Sequence, residues 1–238
     1  LKFSEAQLTP YSGDSITTDT VTVKTGWNLI GSLSNEIPVS DIVQIPPGIV
    51  KSPYFGYRGA YSLDTILSPG RGYWVRVSPG GKLVLHSGPA AAAASASAGF
   101  GEQRGEWSSL AISDAAGRNQ TVYLARWADR GGFDGFGLPP LPPEGGFDAR
   151  FSSGRLVEFP DGPSRKDIPL LISTTLYPVT ISWNVRPEMT GTVLVLDDHT
   201  TAMTGTGRAT VSGPQSRASV GIAKQQSLPA ECSLGQNY

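Results

Sequence analysis

The chain has one cysteine among its 238 residues, Cys232, and it stands close to the last position. No disulfide can form within the chain, so its fold is held by core packing and hydrogen bonds alone. Charge is scarce as well: Asp, Glu, Lys and Arg make up 16% of the residues, and 19 basic against 20 acidic side chains leave a net charge of -1. So weak a field offers nothing to a phosphate backbone, which excludes nucleic acid as a partner. There are 2 histidines, and the G-x-S-x-G elbow, the phosphate loop, the EF-hand loop and the zinc-ligand spacings are all missing. No set of nucleophile, base and orienting group can be assembled, and the reading is a protein that is not an enzyme and carries no cofactor. Long apolar runs are missing too. The longest run of small residues, "PAAAAASASAG" at 89–99, has no bulky side chain, and no membrane span is expected.

Turn-formers are abundant, with 29 Gly and 19 Pro. Helical periodicity is weak throughout; the nearest approach is "VSDIVQIP" (39–46), where Ser40 could cap a single turn ended by Pro46. Short β-branched and alternating runs recur instead: "SITTDTVTV" (15–23), "GWNLIGSL" (26–33), and "GYWVRVS" (72–78) with "GKLVLHS" (81–87) as a hairpin across Pro79-Gly80. From residue 106 onward the runs at 106–113, 119–127, 146–152, 167–174, 178–185, 191–198, 207–213 and 217–224 read as further strands. The expected architecture is all-β, with two tandem antiparallel β-sandwich-like domains joined by an Ala/Ser-rich linker. The boundaries follow composition: residues 1–88 form a small aromatic-rich β domain, 89–104 the Ala/Ser/Gly-rich linker, 105–226 a β-sandwich with a Pro-rich segment, and 227–238 a linker leading onward. A short Ala-rich helix is the alternative for the linker, against which Pro89, Gly99 and the interspersed serines argue. The Pro-rich stretch "DRGGFDGFGLPPLPPEGGFDARF" (129–151) is too long for a hairpin loop, and its proline pairs force an extended path. It reads as a strip laid across the second sandwich and anchored by Phe133, Phe136 and Leu138. The alternative makes "LPPLPP" a ligand for an aromatic groove on a partner.

Recognition has one concentrated candidate. Trp27, Tyr54, Tyr57, Tyr61 and Trp74, with Phe55 and Tyr73, crowd the first domain. Exposed rings on a β face could stack on polysaccharide or enter a protein interface; the plainer reading is that they close the core of a small module. Alternation in "GYWVRV" puts Tyr73, Val75 and Val77 on one face and Trp74 with Arg76 on the other. Asp129 and Asp134 are weak candidates for a calcium loop, since their spacing fits no known pattern, and otherwise no metal site is expected. His86 reads as an exposed strand end, and Asp197, Asp198 and His199 as hairpin-turn residues rather than a catalytic or metal cluster.

Two stretches carry a resemblance. "GWNLIGSLSNEIPVSDIVQIPPGIVKSPYFGYRGAYSLDTILSPGRGYWVRVSPGGKLVL" (26–85) resembles a small β module near the C-terminus of very large secreted proteins of the Bacteroidota, Chlorobiota and Ignavibacteria group. "LPPLPPEGGFDARFSSGRLVEFP" (138–160) and "YPVTISWNV" (177–185) resemble the module that follows it. The closing "LPAECSLGQNY" (228–238) is similar to the opening of a type IX secretion sorting domain. Leu228, Pro229, Leu234, Gln236, Asn237 and Tyr238 match that phrase, and Cys232 stands where an aromatic is usual. The resemblance implies an exported C-terminal region of a type IX cargo protein, extracellular or on the outer cell surface, whose gene continues past Tyr238 into a sorting domain. It implies a structural or adhesive role, as a subunit of a surface or filamentous assembly, with other copies of the chain or other surface proteins, or polysaccharide or lipopolysaccharide, as partners. A carbohydrate-binding module and accessory domains of a secreted hydrolase are the alternatives.

Overall fold

The computed structural model describes residues 13–87, 105–129, 136–163, 167–214 and 216–223. The Ala/Ser run, Asp134, Cys232 and the six positions matched to the sorting phrase lie outside the described residues. The chain divides into two units: Leu1–Glu106 with Gly132–Asp148, and Trp107–Gly131 with Ala149–Tyr238. Composition assigns the Pro-rich stretch to the second domain, whereas Gly132–Asp148 groups with the first unit. The protein is all-β, with antiparallel sheets packed in a sandwich-like manner.

The first unit contains β1 (Thr18–Val23), β2 (Gly26–Gly31), β3 (Ile37–Pro38), β4 (Val43–Ile45), β5 (Tyr54–Tyr57), β6 (Tyr61–Asp64), β7 (Ile66–Leu67), β8 (Gly72–Val77) and β9 (Gly81–His86). They form sheets ordered β1-β9-β4 and β2-β8-β5-β6, with β3 and β7 as a separate pair. The core joins Ile30, Tyr54, Tyr73, Val75 and Val77 of the four-stranded sheet to Val23, Leu83 and Leu85 of the three-stranded one.

The stretch at 72–87 is not the hairpin expected from Pro79-Gly80. β8 pairs with β2 and β5, while β9 pairs with β1 and β4, so the connection arches from one sheet to the other. The reason lies in the alternation of both strands. Two strands that each carry an apolar row bury both rows when the rows face each other across a core, and an arch achieves this where a hairpin would set them side by side. The β1–β2 connection arches in the same way. Its shape is set by the Asn28 side chain, which accepts from Lys24 N at 2.9 Å and donates to Lys24 O at 2.7 Å and to Gly26 O at 3.0 Å. The two arches are tied together by Gly80 N, which donates to Thr25 Oγ1 at 2.9 Å. The single turn expected at 39–46 is present as a 3₁₀ turn, Val39–Asp41, but Pro38 stands at its N-cap and the Ser40 hydroxyl bonds Asp41 Oδ1 instead.

The second unit contains β10 (Ser108–Ser113), β11 (Asn119–Leu124), β12 (Asp148–Phe151), β13 (Val157–Glu158), β14 (Ile168–Ser173), β15 (Val179–Val185), β16 (Thr192–Leu196), β17 (His199–Ala202), β18 (Gly205–Val211) and β19 (Ala218–Ile222). Its two sheets run β13-β11-β10-β15-β18 and β12-β14-β19-β16-β17. Strict alternation in "VTISWNV" buries Val179, Ile181, Trp183 and Val185 while Ser182 and Asn184 stay exposed. Leu110, Ile112, Val122 and Leu124 extend that buried row, and Phe151, Leu170, Leu194 and Val220 are buried on the other sheet. A polar side chain links the two sheets: buried Gln120 on β11 donates through Nε2 to Ala149 O on β12, at 2.6 Å.

Candidate recognition site

The sequence "YFGYRGAY" builds the centre of the site. Tyr57 and Tyr61 are register partners across a three-residue turn of Arg58, Gly59 and Ala60, in which Gly59 has φ +85 and Arg58 N donates to Ala60 O at 3.0 Å. Arg58 reaches forward to Ser62 Oγ and to Asp64 Oδ1, both at 3.0 Å, and so fastens the hairpin. Asp64 Oδ2 lies over Gly56, in the space a β-carbon would need. The register then aligns Leu29, Trp74, Phe55 and Leu63 in one row across the four strands, with Trp27 beside Arg76. These side chains share the outer face, turned away from the core that holds Tyr73, Val75 and Val77.

Of the five expected ligand-binding aromatics, Trp27, Tyr57, Tyr61 and Trp74 therefore share a face and Tyr54 does not. Tyr54 alternates with Phe55 along β5 and points into the core, where burial raises its phenol pKa above the ordinary range. The outer rings meet edge to face: Trp27 with Phe55 at 5.9 Å and 67°, Phe55 with Tyr61 at 6.5 Å and 85°, Tyr57 with Tyr61 at 5.1 Å and 68°. Phe55 is 1% exposed and Tyr61 7% exposed although both lie on the outer face. Flat sugar stacking needs coplanar accessible rings, and these contacts are neither coplanar nor open.

What covers them is the chain's own Pro-rich segment. Tyr61 Oη donates to Pro140 O at 2.7 Å and Tyr57 Oη to Phe147 O at 3.3 Å. Gly137 lies nearest to Trp27 and Arg76, and Gly146 packs so closely on the Tyr57 hydroxyl that a side chain would collide with it. Leu138 and Pro139 are buried, while Pro140, Leu141 and Pro143 remain exposed. Leu138 is thus buried as an anchor would be, and its segment groups with the first unit rather than with the second sandwich. The Pro140 carbonyl suits this role because its residue has no N–H and its extended path forms no ladder of its own.

The remaining candidates fall elsewhere. Asp129 ends a 3₁₀ turn, Trp127–Asp129, and its side chain, like Asp134, lies outside the described residues. Among the described residues no group of three or more His, Cys, Asp or Glu is placed to hold a metal ion. His86 is exposed at the end of β9, 2.9 Å from Thr18 Oγ1. His199 opens β17 as the register partner of Leu196, with Asp197 (φ 51) and Asp198 as the turn between them. Asp197 accepts from Arg217 N through Oδ1 at 2.8 Å, so it holds the start of β19 in place.

A cluster that the sequence reading passed over sits on the β10–β11 turn. Buried Asp114 accepts from Ala116 N and Arg118 N through Oδ1, each at 3.0 Å, and from the Arg118 guanidinium and Thr174 Oγ1 through Oδ2. Its signal was present in "DAAG", an Asp-x-x-Gly turn in which Gly117 adopts φ +78. No helix among the described residues is long and apolar enough to cross a membrane. Compared with protein-family models, curated proteins and solved structures, the chain finds no match. The class that fold and site define is a two-unit β-sandwich protein with a self-covered aromatic face.

Proposed function

We propose that the chain is a non-catalytic structural or adhesive region of an exported surface protein, and that it joins other copies of itself by adding strands to its sheet edges. The supporting observation is β18. It is 7 residues long, the longest of the strands that end a sheet among the described residues, and among these residues its one sheet neighbour is β15. Gly205, Thr206, Arg208 and Thr210 are exposed along it. A row of unpaired backbone donors and acceptors is a template for another strand unless lysines, prolines or a short length block it. β18 has neither lysine nor proline, and Arg208 is its single charged residue. The tail phrase "SLGQNY" supports the exported location. Strand addition from a second copy would satisfy the open backbone groups, with affinity coming from main-chain hydrogen bonds.

Lysines at two outer-facing positions test the reading, because they charge the edge without touching the core-facing residues. The wild-type chain is expected to self-associate in sedimentation velocity, and Thr206→Lys/Thr210→Lys to remain monomeric over the same concentrations. Equal association of both chains would contradict the assignment.

A further inference from the structure

We infer that the aromatic outer face of the β2-β8-β5-β6 sheet is a receptor for proline-rich extended segments, filled within one chain by residues 136–147 and able to take the same segment from a second copy. The contacts that hold the segment are of a transferable kind. Two tyrosine hydroxyls donate to main-chain carbonyls, Tyr61 to Pro140 and Tyr57 to Phe147, and Leu138 with Pro139 supplies the buried apolar part. None of these requires the segment to belong to the same molecule. The segment suits such transfer because the four prolines at 139, 140, 142 and 143 hold it extended before it binds, so little backbone entropy is lost on docking. Its middle is only lightly held: Leu141 is 68% exposed. The face is the aromatic cluster for which binding stood beside a core role, and the segment is the stretch for which a ligand role was the alternative; here the two meet. Tethering favours the internal segment through an effective concentration in the millimolar range, so exchange requires copies gathered at comparable density. The inference does not depend on the β18 edge.

The test uses full-length chains. Replacing the four prolines by glycine weakens the internal segment and leaves the face intact; Tyr57→Phe/Tyr61→Phe weakens the face and leaves the segment intact. A fluorescein-labelled peptide of residues 136–147 is expected to bind the proline-replaced chain saturably, and to bind the wild-type chain at least about tenfold more weakly because of internal competition. Adding the two Phe substitutions to the proline-replaced chain is expected to weaken peptide binding about tenfold, the effect of losing two hydroxyl hydrogen bonds. Mixing the proline-replaced chain with the double-Phe chain tests exchange between copies, since one supplies an open face and the other a free segment. A one-to-one complex is expected in sedimentation, with neither variant dimeric alone. Leu138→Ser replaces the fourfold change if far-UV circular dichroism shows that the fourfold change perturbs the strands. A folded chain with a weakened segment that fails to bind the peptide, or peptide binding indifferent to Tyr57 and Tyr61, overturns the receptor. Peptide binding without a complex in the mixture overturns exchange between copies.

Discussion

Asp114 holds the β10–β11 turn in shape through two backbone amides, a guanidinium and a hydroxyl, all converging on one buried carboxylate. Burial alone pushes that carboxyl up. The hydrogen bonds from the Arg118 side chain, Thr174 and the Arg118 amide outweigh it and hold the group below the usual carboxylate range. A carboxyl whose folded pKa is depressed stabilises fully above its unfolded value, about 3.9, and the contribution is lost as pH falls through the folded value. Asp114→Asn is therefore expected to cost about 1–3 kcal/mol at neutral pH. It is also expected to flatten the acid limb of stability below about pH 4, measured as urea midpoints against pH for both chains. At this scale the sequence was partly legible. The turn character of Asp197 and Asp198 follows from residue type, because short polar side chains tolerate left-handed turns and bond nearby amides. Tyr54 was misplaced because a ring's chemistry says nothing about its face; only the strand register does.

At the scale of strands, the close approach of β9 to β4 depends on Gly81. A β-carbon there would meet the Ile45 carbonyl, a backbone atom that cannot turn aside. Gly81→Ala is expected to loosen β4 and to destabilise the first unit by about 1–3 kcal/mol, read from chemical denaturation. Alternation made β15 readable before its structure, since "VTISWNV" has one register that buries Val179, Ile181, Trp183 and Val185 together. Strand partners were not readable in the same way. β8 and β9 each showed a sound apolar row, but a row does not state whether its core is shared with the next strand in sequence or reached by an arch. β17 escaped notice because "HTTA" has no large apolar side chain, and all four of its residues are exposed. The Pro-rich segment has no periodicity at all, so its composition could announce an extended path but not the sheet beneath it.

On the scale of the molecule, each unit has a core of its own, and substitutions in the two are expected to act locally. Leu83→Ala, at a fully buried position in the first unit, and Ile181→Ala, at one in the second, are each expected to cost about 2–5 kcal/mol. Hydrogen exchange is expected to report the first in β1, β4 and β9, and the second in β10, β15 and β18. The most direct check on the proposed role is hydrogen exchange of the full chain at low and high concentration, followed at the amides of Gly205–Val211. Strand addition at β18 predicts that these amides become protected as the chain associates, and that Thr206→Lys/Thr210→Lys removes both the association and the protection. Association that leaves β18 exchange unchanged, or a chain that stays monomeric at the highest concentration reached, would contradict it.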